Sequence, residues 1–153
     1  MNTRPTHRTP WLPVGTLALA AALAAAPVQA QLGPATLAGH WLIEGTPEAG
    51  SGIPPFVNVA TLTRDGQMVN VDPGVGTAVG GWRRLQGTSY AVSFTGFMPG
   101  MPGVRYVVSA TLGFVGGGQL SGPFRTEVLD PAGQPLFGYE GMVQAWRQAV
   151  DPY

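Results

Sequence analysis

The chain has 153 residues, enough for one domain, and no cysteine, which excludes disulfide staples, thiolate metal sites, redox pairs and thiol nucleophiles. Basic and acidic residues balance at eight each, and no basic stripe marks a nucleic-acid or anionic-membrane partner. The 23 glycines and 15 prolines fall between apolar-alternating runs, the distribution of a many-turned β domain rather than of a disordered one.

The N-terminus reads as a leader. Met1–Trp11 carries Arg4, His7 and Arg8 with no acid, Leu12–Ala26 is an Ala/Leu-rich apolar run, and Val28-Gln29-Ala30 offers small residues at the two positions a signal peptidase inspects. Residues 1–30 are therefore expected to be a secretory signal peptide cleaved near Ala30. A retained membrane anchor is the alternative, but a span needs about 20 apolar residues, and this run is shorter and contains Pro13. The expected product, Gln31–Tyr153, is one secreted or periplasmic domain with no stable membrane anchor after cleavage. It has six arginines, no lysine and eight acids, a charge near minus two.

In chain order, Gly39–Glu44 reads as the first strand, with Trp41 and Ile43 on one face. Gly45–Pro55 is a loop, Phe56–Thr63 a second strand, Arg64-Asp65-Gly66 a hairpin turn, and Gln67–Val71 a third strand. Asp72–Gly80 reads as a glycine-rich connection, Gly81–Leu85 as a short fourth strand, and Ser89–Phe97 as a fifth, with Tyr90, Val92 and Phe94 sharing a face. After the loop Met98–Gly103 comes the clearest element, Val104–Phe114. Its even positions (Val104, Tyr106, Val108, Ala110, Leu112, Phe114) are apolar or aromatic, while its odd ones are mostly polar or small. A period of two over that length specifies a strand with one dry face. Gly116–Gly118 turns into Leu120–Leu129; Asp130-Pro131-Ala132-Gly133 is a turn in which Pro fixes one dihedral and Gly tolerates positive φ. Leu136–Ala149 closes the series.

Eight strands joined by short turns make an antiparallel up-and-down meander. Left open it would expose two pairing edges; closed, it becomes an all-β, eight-stranded barrel wide enough for side chains or one small ligand. The alternative is a β-sandwich, which needs long crossing connections that only Gly45–Pro55 and Asp72–Gly80 could provide.

Leu37-Ala38-Gly39-His40-Trp41 resembles the G-x-W that opens the first strand of lipocalins, and Gln144-Ala145-Trp146-Arg147 resembles the end of their last strand. The resemblance is to the calycin group of barrels, which includes lipocalins, avidins and fatty-acid-binding proteins. It implies that Arg147 lies across Trp41 and closes one end of the barrel as a cation–π plug. The rhythm of G-x-W, a D-G hairpin, Gly81-Trp82-Arg83-Arg84 and Val128-Leu129-Asp130-Pro131-Ala132-Gly133 also resembles small exported bacterial proteins, a likeness that implies no activity.

Sequence chemistry is sparse. His40, the one histidine after the leader, has the parity opposite to Trp41 and should face outward, so neither a His–carboxylate pair nor a transition-metal site is indicated. Gly74–Gly80 lacks both the G-K-[ST] ending and a following helix needed for a phosphate cradle. Glu44, Glu127 and Glu140 fall on outward parities. No metal and no cofactor are expected, and catalytic residues cannot be named.

What remains is an aromatic lining: Trp82, Tyr90, Phe94, Tyr106, Phe114, Phe124, Phe137 and Tyr139 share the inward parity. They either fill the barrel as core or line a mostly apolar cavity whose hydroxyls need partners. The leading expectation is an exported barrel binding a small apolar or aromatic molecule. In it Tyr90, Tyr106 and Tyr139 hydrogen-bond the ligand, and Trp82, Phe94 and Met98 pack on it. Two alternatives stand beside it. One is a cofactor-free isomerase or cyclase resembling allene oxide cyclase and dirigent barrels, using the tyrosines and Arg84. The other is a periplasmic protein-interaction module, since Ala38–Trp41 also resembles the opening of small barrel inhibitors of bacterial metalloproteases. Oligomeric state is left open.

Overall fold

The computed structural model describes residues 36–149; the expected leader lies outside them. Eight strands follow in chain order: β1 (Gly39–Pro47), β2 (Phe56–Leu62), β3 (Gln67–Asp72), β4 (Gly76–Arg84), β5 (Ser89–Phe97), β6 (Arg105–Gly116), β7 (Gln119–Leu129) and β8 (Pro135–Arg147). Each pairs antiparallel with its neighbours, and β1 pairs with β8 from Trp41↔Arg147 to Pro47↔Gly141, so the meander closes into an up-and-down barrel. Closure satisfies the backbone donors and acceptors that an open sheet would leave at its edges. The architecture is compatible with a calycin-like fold, and the sandwich alternative is set aside.

Turns fix the register. In the β2–β3 hairpin Gly66 adopts a φ of 90°, a left-handed conformation that a Cβ would penalise. The Gly66 carbonyl accepts the Trp82 N–H at 2.8 Å, which ties this hairpin to β4. In the β7–β8 turn the Gly133 N–H donates to the Asp130 carbonyl at 3.0 Å, and the Gln134 N–H to Asp130 Oδ1 at 2.7 Å.

One element departs from the sequence expectation. The connection assigned to 72–80 is strand from Gly76 onward, so β4 is nine residues long rather than five. Its inward residues here are Ala78 and Gly80, too small to print an apolar alternation. A Cβ on Gly80 would run into the Ser93 carbonyl and the Cα and Cβ of Phe94, its cross-strand partner. At three other sites an aromatic ring covers the glycine. Phe56 covers Gly45, Tyr106 covers Gly96 and Phe124 covers Gly141, each ring lying on the glycine paired with it. Aromatic cover of an inward glycine restores the lost side-chain contact and lets the wall curve tightly.

Inside, the residues form two clusters. The larger, around Trp41, Tyr90, Leu112 and Leu120, fills the end where β1 begins; the smaller, around Ala78, Val104, Tyr106 and Val128, lies toward the other end.

Candidate functional site

The two ends of the barrel differ. At one end Leu37 is inserted with 0% exposure, and its carbonyl accepts the Trp41 indole N–H at 2.8 Å. Arg147 crosses above: its Cζ is 4.6 Å from the centroid of the Trp41 ring, and its two terminal nitrogens donate to the Ala38 carbonyl (2.5 Å) and the Thr36 carbonyl (2.6 Å). Beneath them a relay of tilted and edge-on rings runs Trp41–Phe114–Tyr90–Trp82, with centroids 5.8–6.3 Å apart. Leu37, the Arg147–Trp41 contact and this chain of tilted and edge-on rings cap this end.

From beneath Leu37 and Trp41 a cavity of about 330 Å³ runs toward the other end. Its walls include Val92, Phe94, Val108, Leu112 and Phe124, and its mouth is formed by Ile53, Pro54, Val75, Met98 and Phe137. Phe137 is 49% exposed, half in the cavity and half in solvent. Three of these mouth residues come from the β1–β2 and β3–β4 connections and one from the β5–β6 loop, so the turns at this end set the opening. The volume lies at the lower end of the range for small-molecule sites and is roughly twice the ~150 Å³ that accepts benzene in an apolar protein cavity.

One arc of the wall is polar. Asn58 and Asn70 are buried on β2 and β3, and Asp72 ends β3. Asp72 Oδ1 accepts the N–H groups of Gly74 (2.7 Å) and Val75 (3.0 Å), fixing the turn into β4. The Asn58 amide takes the orientation in which donors meet acceptors: its nitrogen donates to Asp72 Oδ2 (2.8 Å) and the Val57 carbonyl (3.0 Å), and its oxygen accepts from Asn70 Nδ2 (3.1 Å). Two buried atoms in the wall have no hydrogen-bond partner among the described residues, Asn70 Oδ1 and the Tyr106 hydroxyl. Burial, then the Asp72 carboxylate, then Tyr139 push the Tyr106 phenol above its ordinary value of 10.0. Thr126 completes the buried polar set beside its cross-strand partner Tyr139.

Of the residues expected to hold a ligand, Phe94, Met98, Tyr106 and Tyr139 line the cavity together. Trp82 and Tyr90 are outside its lining: they stack edge-on at 5.8 Å at the capped end, and the Trp82 indole donates to the Thr63 carbonyl at 2.9 Å. Trp41 and Arg147 make the contact given above. Arg84, assigned to the cyclase alternative, donates to the Gly87 carbonyl in the β4–β5 turn, at the end opposite the mouth. His40 faces outward and meets Thr61 at 3.0 Å. The carbonyls of Thr36 and Ala38 are engaged by Arg147, so the backbone leading into β1 is held against the barrel. Among the described residues no group of three or more His, Cys, Asp or Glu could hold a metal ion.

Asn58, Asn70, Asp72 and Thr126 were not anticipated. In β2 and β3 the β-branched residues Val57, Val59, Val69 and Val71 point outward and are exposed, while Asn58 and Asn70 point in. Apolar alternation there indicates the wrong face. The signal that finds the asparagines is the hairpin register about Asp65-Gly66: it pairs Leu62 with Met68 and Ala60 with Asn70, putting Asn70 on the parity of the core. No protein-family model matches the chain, and no curated protein sequence matches it.

Proposed function

We propose that this protein is an exported, calycin-like barrel that binds one small apolar or aromatic molecule in its interior, acting in the periplasm or outside the cell. The observation that carries this reading is the cavity of about 330 Å³ with apolar walls and two buried polar atoms that have no partner among the described residues. Buried polar groups are normally hydrogen-bonded, and leaving one unmade costs about 1–3 kcal/mol. A ligand that meets Asn70 Oδ1 and the Tyr106 hydroxyl removes that cost. Phe94, Met98 and Tyr139 pack on its apolar body, and the soft Met98 side chain adapts to its shape.

Titration with the neutral fluorescent probe N-phenyl-1-naphthylamine tests the reading. Saturable binding at one probe per chain is expected, lost in Val108→Trp or Ala110→Phe, which fill the cavity, while circular dichroism is retained. Absence of saturable binding, or binding indifferent to both substitutions in folded protein, overturns it.

A further inference from the structure

We infer that the ligand's polar end is a protonated amine, so that the cavity selects an amphiphilic amine of arylalkyl size, its ammonium group set among Asp72, Asn70 and Tyr106. This rests on the ligand-binding reading above and names the class of molecule that reading leaves open.

Three observations converge. The first is charge. Asp72 is the only residue with a formal charge among the described residues that line the cavity. The arginines with resolved partners direct their guanidinium groups elsewhere: Arg147 to Thr36 and Ala38, Arg84 to Gly87, and Arg125 to the exposed Glu127. A carboxylate ligand would enter a wall that holds a carboxylate and no cation. An ammonium would meet its opposite charge in a low-dielectric setting, where such a contact is strong.

The second is hydrogen-bond polarity. Asn70 is 1% exposed and its Nδ2 is already committed to Asn58, so its unpartnered Oδ1 can only accept. The Tyr106 hydroxyl, on a residue 7% exposed, is free to accept as well. With the Asp72 carboxylate these form a set of acceptors, and an ammonium has the three donors to meet them.

The third is space. Asn70, Ala78, Gly96 and Tyr106 are successive cross-strand partners from β3 to β6. The Tyr106 ring lies over Gly96, where a Cβ would strike its hydroxyl and Cζ, so the hydroxyl is carried toward β4 and β3. In the register the small residues Ala78 and Gly96 separate Asn70 from Tyr106. A small polar head fits over such a row, and the aromatic rings of Tyr106, Tyr139 and Phe137 in the same cavity lining suit a cation.

Calorimetric titration of the barrel with 2-(1-naphthyl)ethylamine, 2-(1-naphthyl)ethanol and 1-naphthylacetate at pH 7 tests this with one aromatic body and three head groups. The amine is expected to bind at least about tenfold more tightly than the alcohol, and the carboxylate most weakly. Asp72→Asn, which keeps an acceptor for the Gly74 and Val75 N–H groups, should bring the amine-to-alcohol ratio to near one. If that variant does not fold, the N-acetylated amine, which keeps an N–H but loses the charge, should bind wild type no better than the alcohol. Alcohol or carboxylate binding as tightly as the amine, or an amine preference that survives Asp72→Asn or acetylation, overturns the inference. Binding of N-phenyl-1-naphthylamine without binding of the amine overturns it too, and leaves the ligand-binding reading standing. Failure of both probes defeats that reading itself.

Discussion

Arg147 holds Trp41 and the incoming chain in one grip: its guanidinium carbon is 4.6 Å from the centroid of the indole ring while its nitrogens take the carbonyls of Thr36 and Ala38. Trp41 is 2% exposed and Arg147 is exposed, so the pair spans the boundary between core and solvent. The cation–π contact contributes about 0.5–1 kcal/mol at such a site, and the hydrogen bonds add to it by satisfying carbonyls that cross the barrel end. Arg147→Ala is expected to lower unfolding stability by about 2 kcal/mol. Arg147→Lys should recover only part of that, because an ammonium cannot stack on the ring and reach both carbonyls as a planar fork does. Urea denaturation of the three proteins checks the order.

Tyr106→Phe separates stability from binding. It removes a buried hydroxyl that has no partner among the described residues, so unfolding stability should be unchanged or higher by about 1 kcal/mol. Ligand affinity should fall in the same variant. A loss of stability would show that the hydroxyl is already satisfied within the fold.

The same residue sets an alkaline signature. The folded Tyr106 phenol titrates above the ordinary value of 10.0 because burial, followed by Asp72 and Tyr139, disfavours its anion. Below about pH 10 both folded and unfolded chains keep the proton, and this contribution to stability is fully present. Above it the unfolded chain ionises first, and the contribution is lost as pH rises through the folded value. Stability measured from pH 8 to 11 should fall less steeply at the alkaline end in Tyr106→Phe than in wild type.

The glycines give a matched pair of tests. At Gly96 an added Cβ would strike the Tyr106 ring, whereas at Gly113 nothing lies within 4 Å. Gly96→Ala is expected to cost about 1–3 kcal/mol by overpacking and to displace the Tyr106 hydroxyl, weakening binding. Gly113→Ala should leave binding unchanged and stability within about 1 kcal/mol of wild type, on the stabilising side. Thermal unfolding and probe titration read both effects.

The fold was legible where apolar alternation was strong. The period of two in Tyr106–Phe114 located β6, the D-G turn located the β2–β3 hairpin, and the D-P-A-G turn located the end of β7. It failed where inward positions were small or polar. The small inward residues Ala78 and Gly80 hid the first half of β4, and the outward valines of β2 and β3 masked Asn58 and Asn70. Trp82 and Tyr90 shared the parity of the cavity residues but are taken up in the ring contacts with each other and Phe114. Parity gives the face a side chain takes; the contacts that closure makes across strands decide which of those side chains line the cavity. The polar arc was illegible for the same reason, since Asp72, Asn70 and Asn58 come together through pairings across β2 and β3.

A crystal structure of the barrel soaked with N-phenyl-1-naphthylamine tests the interior site most directly. The account predicts density for the two rings within the wall of Phe94, Val108 and Tyr139, with Met98 and Phe137 closed over them. Density only on the outer surface, or an interior filled by rearranged side chains in a probe-saturated crystal, would contradict it.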